Sequence, residues 1–277
     1  MWGRLRKIKN NDFPLHIALI FIGMLTFYPF IMMIILSFKD MTQYTHHPWS
    51  LTLPIHWENY AAAWEGISRY ILNSVLVSGS TVLGVVFLGA FTAYVFSRFQ
   101  FPGKSFLFFL ILSLLMIPGV LTLVPQFMLV RQLGLLNTLW VLILPYISLG
   151  QVMAIFILRS FMSGISEELF EAARIDGAGN FQCFWQIVLP LSKPILGVIA
   201  IIQTLRTWND LIWPWVTISK DNLRTITIGL AFFRGQYYTN WGLLFAGYVL
   251  ASIPLIILFA FASKWFVSGL TSGALKM

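Results

Sequence analysis

Apolar runs of about twenty residues recur along the chain, each long enough to cross a hydrocarbon layer of about 30 Å as a helix. Backbone inside lipid must satisfy its own N–H and C=O groups, so uninterrupted runs of this length call for α-helices. They predict six spans, at about 15–38, 71–96, 106–130, 139–161, 195–213 and 243–266. Composition agrees: 58% of residues are hydrophobic and 10% are charged, where a soluble domain carries roughly 25% charged residues. The expected fold is an all-α, polytopic membrane protein, with residues 1–277 as one transmembrane domain. Pro118-Gly119 and Pro125 inside the third run predict a kinked or partly unwound helix.

Basic residues set the orientation. With the N-terminus inside, Arg4, Arg6, Lys7, Lys9, Arg98, Lys104, Arg159, Arg174, Lys193, Lys264 and Lys276 share the inner side. Lys39, Arg69, Arg131, Lys220, Arg224 and Arg234 fall outside, and Arg206 is left within a span. The positive-inside rule then places both termini in the cytoplasm. The first run follows basic residues as a signal peptide would. It is too long and lacks a small-residue cleavage site, so an uncleaved anchor is expected. The net charge of +8 is scattered over loops rather than gathered on a face, which argues against a nucleic-acid partner.

Site chemistry is sparse. A single cysteine, Cys183, excludes an internal disulfide and a Cys-rich metal site. His16, His46, His47 and His56 offer no helical i, i+4 pair for a metal, and no nucleophile–base set can be assembled. Gly103-Lys104-Ser105 matches the end of a phosphate-binding loop, yet the glycine required five positions earlier is Arg98. No catalytic, nucleotide or metal residue is assigned.

Between the fourth and fifth spans, residues 163–194 form a polar segment with helix signals of its own. Ser166 is a good N-cap, and Glu167, Glu168 and Glu171 suit the positive end of a helix dipole. Asp176-Gly177 predicts the stop, because glycine tolerates the left-handed conformation that ends helices. A second helix restarts after Gly179-Asn180, with Phe181, Phe184, Trp185 and Val188 on one face. Pro190 and Pro194 are then expected to break or re-aim the chain before the fifth span.

This hairpin carries a family resemblance. Glu171-Ala172-Ala173, Asp176-Gly177-Ala178, Ile187, Leu189-Pro190 and Pro194 resemble the EAA loop of ABC importer permeases, with the spacing EAA-x2-DGA-x8-I-x-LP-x3-P matched without gaps. The likeness extends along the whole chain and points to the shorter membrane subunit of maltose-type carbohydrate uptake systems. It implies a type I-like importer fold in the bacterial cytoplasmic (inner) membrane. Glu171, Ala172, Ala173, Asp176 and Gly177 would form the cytoplasmic contact with an ATPase. The implied partners are a second, larger permease chain, two ATP-binding subunits, an extracellular solute-binding protein and a sugar. ATP and Mg²⁺ would be bound by the partner subunits, leaving this chain without a cofactor or an enzymatic role.

Gln203, Arg206, Thr207 and Asp210 of the fifth span fall at i, i+3, i+4 and i+7, on one helical face. Arg206 lies about 18 Å above Pro194 at 1.5 Å per residue, near the middle of the layer or slightly beyond. An arginine there costs at least about 2.5 kcal/mol unless it is paired or wet. Two readings stand: a structural Arg206–Asp210 pair one turn apart, or a stripe lining the substrate path. Trp208-Asn209-Asp210 and Trp213-Pro214 resemble a segment common in sugar permeases, where aromatic rings suit sugar faces. If Asp210 turns elsewhere, Arg206 offers a forked donor to an acidic saccharide such as a uronate oligomer.

The outer loop at 217–241 holds Arg234, Tyr237, Tyr238 and Trp241, where a binding protein would approach or an interfacial aromatic belt would lie. The tail from Ser268 is flexible by composition, and in the maltose-type relatives it reaches the ATPase. Import of an amino acid or peptide is the nearer rival function. A secondary transporter would need an intramembrane ion-coupling set, for which only Arg206 and Asp210 are available.

Overall fold

The computed structural model describes residues 13–232 and 240–274. Every regular element among them is helical. α1 (Phe13–Ser37) leads to a short α2 (Met41–His46) and the long α3 (Glu58–Arg98). α4 (Lys104–Ser113), α5 (Gly119–Gln132) and α6 (Trp140–Met162) follow, then α7 (Glu167–Ile175) and α8 (Asn180–Cys183) of the hairpin. α9 (Leu189–Asn209), α10 (Ile212–Thr217), α11 (Ile226–Phe232) and α12 (Trp241–Ala274) complete the order. Arg234, Tyr237 and Tyr238 of the outer loop lie outside the described residues.

Among the described residues, five helical stretches are long and apolar enough to span a membrane: Pro14–Ser37, Glu58–Arg98, Trp140–Met162, Asn180–Asn209 and Trp241–Ser263. The third expected span is broken. Lys104–Met116 and Gly119–Gln132 meet at 101°, and counted as one they make the sixth. Pro118 is the cause: it pushes the residue before it out of the helical region, and Ile117 is extended.

Three boundaries differ from the sequence expectation. α3 begins at Glu58 rather than near residue 71, because Ala61, Ala62 and Ala63 favour helix and Ala63 and Ile67 are fully buried. α12 runs on to Ala274, so residues 268–274 are helical rather than a loose tail. The chain also does not break at Pro190 or Pro194. A π-turn, Phe184–Val188, carries α8 directly into α9. It changes the hydrogen-bond register one turn ahead of Pro190, which absorbs the missing N–H instead of ending the helix. The predicted apolar face of this run is half realised: Phe184 and Val188 are buried, while Phe181 and Trp185 are exposed.

Contacts group the chain into two units. In the first (Met1–Ser68 and Phe232–Ser252), buried Asn59 donates from Nδ2 to Ser37 O and Lys39 O, 3.0 Å each. Lys39 is itself buried, with its ammonium donating to His47 O. An Asp40–Gln43 capping box starts α2, and Tyr44 stacks on Trp241 at 5.6 Å.

The second unit (Arg69–Ala231 and Ile253–Met277) holds the candidate site. α3, α6 and α9 pack closely through small residues, as helices in lipid do. A Cβ at Gly150 would lie 2.7 Å from Val85 Cγ2 and 2.9 Å from Gln203 Oε1, so no larger residue fits without movement. One buried cluster joins Ala93 and Tyr94 of α3, Leu158 and Met162 of α6, and Phe184 and Val188 of the π-turn. Phe170 of α7 and Cys183 of α8 belong to the same cluster. The polar hairpin therefore shares its core with the spans.

Candidate functional site

The hairpin is built by its caps. Ser166 Oγ accepts from Glu168 N at 3.3 Å and starts α7. The helix closes through two backbone bonds, Gly177 N to Arg174 O at 3.0 Å and Ala178 N to Ala173 O at 2.8 Å. Gly177 has φ +83°, the left-handed conformation that this paired closure requires. Ala173 and Ala178 pack together against the buried cluster, so the turn is anchored by an apolar contact as well.

This closure fixes which residues show. Phe170 points inward and is buried, while Glu171, Ala172, Asp176 and Gly177 are exposed and Ala173 is half-buried. The five signature residues thus share one short helix end and the turn that stops it. Ile175 sits among them with 86% of its surface exposed, and Phe181 opens α8 with 67% exposed. Apolar groups this exposed on a segment that the charge pattern places in water mark a surface meant to be covered. Sequence reasoning missed Ile175, although an isoleucine between Arg174 and Asp176 interrupts an otherwise polar turn.

The fifth-span stripe is divided by the structure. Gln203 and Thr207 are buried against the neighbouring helices. Gln203 Nε2 donates weakly to Tyr146 O at 3.5 Å, and Thr207 Oγ1 lies 2.9 Å from Ser78 Oγ. α9 ends at Asn209, and Asp210 is extended. Its carboxylate accepts from Tyr146 Oη at 2.8 Å and from Trp213 N, in the first turn of α10, at 3.3 Å. The break thereby hands Asp210 to Tyr146 and α10. The one-turn ion pair is not formed, and Arg206 has no hydrogen-bond or ion-pair partner among the described residues.

Arg206 and Asn209 lie on the exposed edge of α9. Trp208 is buried and, with Thr204, lines a cavity of about 460 Å³ whose other walls are Val75, Ser78 and Gly79 of α3 and Pro254 to Phe261 of α12. Trp213 is also buried, donating from Nε1 to Val141 O at 2.9 Å. Of the residues expected on the path, Arg206 and Asn209 are open, Asp210 is half-buried, and Gln203, Trp208 and Trp213 are packed inside. Tyr146, the partner that decides where Asp210 points, carries no signal in the sequence.

Comparison with known proteins gives the family. Residues 85–272 match the family described as binding-protein-dependent transport system inner membrane component. The chain belongs to that family. It is a transport permease subunit and a multi-pass membrane protein. The probable ABC transporter permease protein YurM of Bacillus subtilis is 42% identical, over 90% of this chain and 83% of that protein. The trehalose/maltose transport system permease protein MalG of Thermococcus litoralis is 31% identical, over 95% of this chain and 96% of that protein. A crystal structure of a bacterial ABC transporter involved in the import of the acidic polysaccharide alginate includes a chain of the same fold. That chain has a TM-score of 0.81 at 21% identity, covering 93% of this chain and 98% of that one.

Proposed function

We propose that this chain is one of two membrane subunits of an ATP-driven importer for an oligosaccharide delivered by an extracellular solute-binding protein. The observation that carries the reading is the hairpin end at Glu171 to Gly177, shaped by its caps and left with Ile175 uncovered. An ATPase dimer would cover that surface from the cytoplasm, with ATP and Mg²⁺ bound by its subunits and the chemistry carried out there. Both termini would face the same side, a reading supported by the distribution of basic residues. Nucleotide-driven closure would move the hairpin as a rigid body and switch the access of the bundle. Names of relatives support a sugar: an arabinooligosaccharides permease of Halalkalibacterium halodurans is 34% identical, and a melibiose/raffinose/stachyose permease of Bacillus subtilis is 32% identical. The test is co-purification of an ATPase and a solute-binding protein with the tagged chain, followed by a ligand screen of the binding protein. Recovery of an amino-acid- or peptide-binding protein would overturn the sugar assignment.

A second reading of the substrate rests on Arg206. With Asp210 held by Tyr146 and Trp213, an exposed guanidinium inside a span must face a partner chain or a wet path, not lipid. On a wet path it suits a saccharide bearing a carboxylate. Transport by Arg206→Gln tests this. Loss confined to acidic sugars supports the reading, equal loss for neutral sugars makes Arg206 structural, and no loss removes it from the path.

A further inference from the structure

Arg98, the last residue of α3, reaches the hairpin through its guanidinium. Its Nη1 donates to Glu167 Oε2 at 2.8 Å, at the first residue of α7. Its Nη2 donates to Met162 O at 2.7 Å, at the end of α6, and to Ile165 O at 2.5 Å, in the connection to α7. The guanidinium carbon lies 4.1 Å from the centre of the Phe170 ring. Only 11% of the side chain is exposed, while Glu167 is half exposed and also reaches Arg174 at 3.4 Å. One planar, forked cation thus meets the end of one helix, the connecting loop and one face of the next, where Glu167 and Phe170 stand three residues apart, a set that an ammonium cannot reproduce. The second arm is tied to the same helix one turn away, where Tyr94 Oη donates to Asn180 O at 3.1 Å. Phe184 packs against both Tyr94 and Phe91.

We infer that Arg98 is the positioning residue that makes the hairpin and α3 one rigid body, so that movement imposed on the hairpin is delivered to α3. The apolar cluster holds α7 at Phe170 and half-buried Ala173, in its middle and second half, and leaves its start to the forked contacts. These contacts fix the start of α7 on three atoms of known direction. Arg98→Gln then leaves the hairpin folded and its docking end unchanged, while its motion is no longer passed on.

The inference rests on the hairpin being the ATPase dock. That reading fails on its own if substitutions at Glu171 to Gly177 leave the ATPase bound. The experiment uses the full transporter in nanodiscs, with spin labels on cysteines placed at exposed Gln100 and Glu168; native Cys183 is buried. Distances are measured nucleotide-free and after trapping with Mg-ATP and vanadate. With Arg98 intact, one narrow distance common to both states is expected. In Arg98→Gln the ATPase still co-purifies, but the distance broadens and shifts on trapping, and Arg98→Lys restores it only in part. A wild-type distance that itself shifts on trapping overturns the inference, as does an Arg98→Gln distance that stays narrow and fixed. If Arg98→Gln does not assemble, Arg98→Lys decides: it keeps the charge but loses the fork, and an unchanged narrow distance in both states overturns the inference.

Discussion

Replacing Gly177 tests whether the hairpin's turn is what the ATPase reads. Gly177 has φ +83°, and a Cβ added there would meet no atom within 4 Å. The cost of substitution is therefore a backbone cost, separable from packing. An L-residue held in the left-handed region costs about 1–2 kcal/mol, and a β-branched one lies at the top of that range or above it. Asparagine tolerates the region better than alanine does. Two hydrogen bonds depend on the turn, Gly177 N to Arg174 O and Ala178 N to Ala173 O, each contributing about 1 kcal/mol. The chain can either keep the turn under strain or release it and lose both bonds. For Gly177→Val the two routes are close in energy, at about 2 kcal/mol, which shifts the turn equilibrium about thirty-fold. The expected order of ATPase recovery and uptake is Gly, Asn, Ala, Val, with equal amounts of each variant in the membrane fraction by immunoblot. Wild-type recovery and uptake in Gly177→Val would refute the reasoning. Equal failure of Asn and Val would show that the position reads side-chain size rather than backbone conformation.

Four further outcomes follow from the structure. Tyr146→Phe strips half-buried Asp210 of its hydroxyl donor and should destabilise the transporter by about 1–3 kcal/mol in thermal unfolding. Arg206→Gln, with no partner among the described residues to lose, should change stability by no more than about 0.5 kcal/mol. A stability loss in Arg206→Gln matching that of Tyr146→Phe would make Arg206 structural. Gly150→Val should cost at least about 1–3 kcal/mol through contact with Val85 and Gln203, whereas Gly23→Ala, with open space around it, should leave the melting midpoint in place. Ile175→Ser should leave the melting midpoint unchanged and weaken ATPase co-purification, by about 1 kcal/mol or more if Ile175 is a docking anchor. Unchanged co-purification would take Ile175 out of the docking surface.

Elements whose physics is local were legible in the chain itself. Apolar runs specify spans because lipid leaves the backbone no partner but its own helix. The hairpin's start and stop were readable at Ser166 and Gly177, since a cap and a positive φ depend on residues a few positions apart. The break at Pro118 was readable as well, because proline restricts its own neighbour. Other features waited on distant parts of the chain. Pro190 and Pro194 looked like a boundary, yet a π-turn held by buried Phe184 and Val188 carries the helix past them. Arg206 and Asp210 looked like a pair, because one turn is a short reach along a helix. The pair is undone by Tyr146, 64 positions away from Asp210, and by the break that delivers Asp210 to α10. Arg98 entered the sequence reading only as the residue that spoils a phosphate-binding loop. Its contacts with Met162, Ile165 and Glu167 span 64 to 69 positions, and no local pattern encodes them. Periodicity and caps record what a segment does with its own backbone; which charge is satisfied, and by whom, is settled only when helices far apart in the chain are brought side by side.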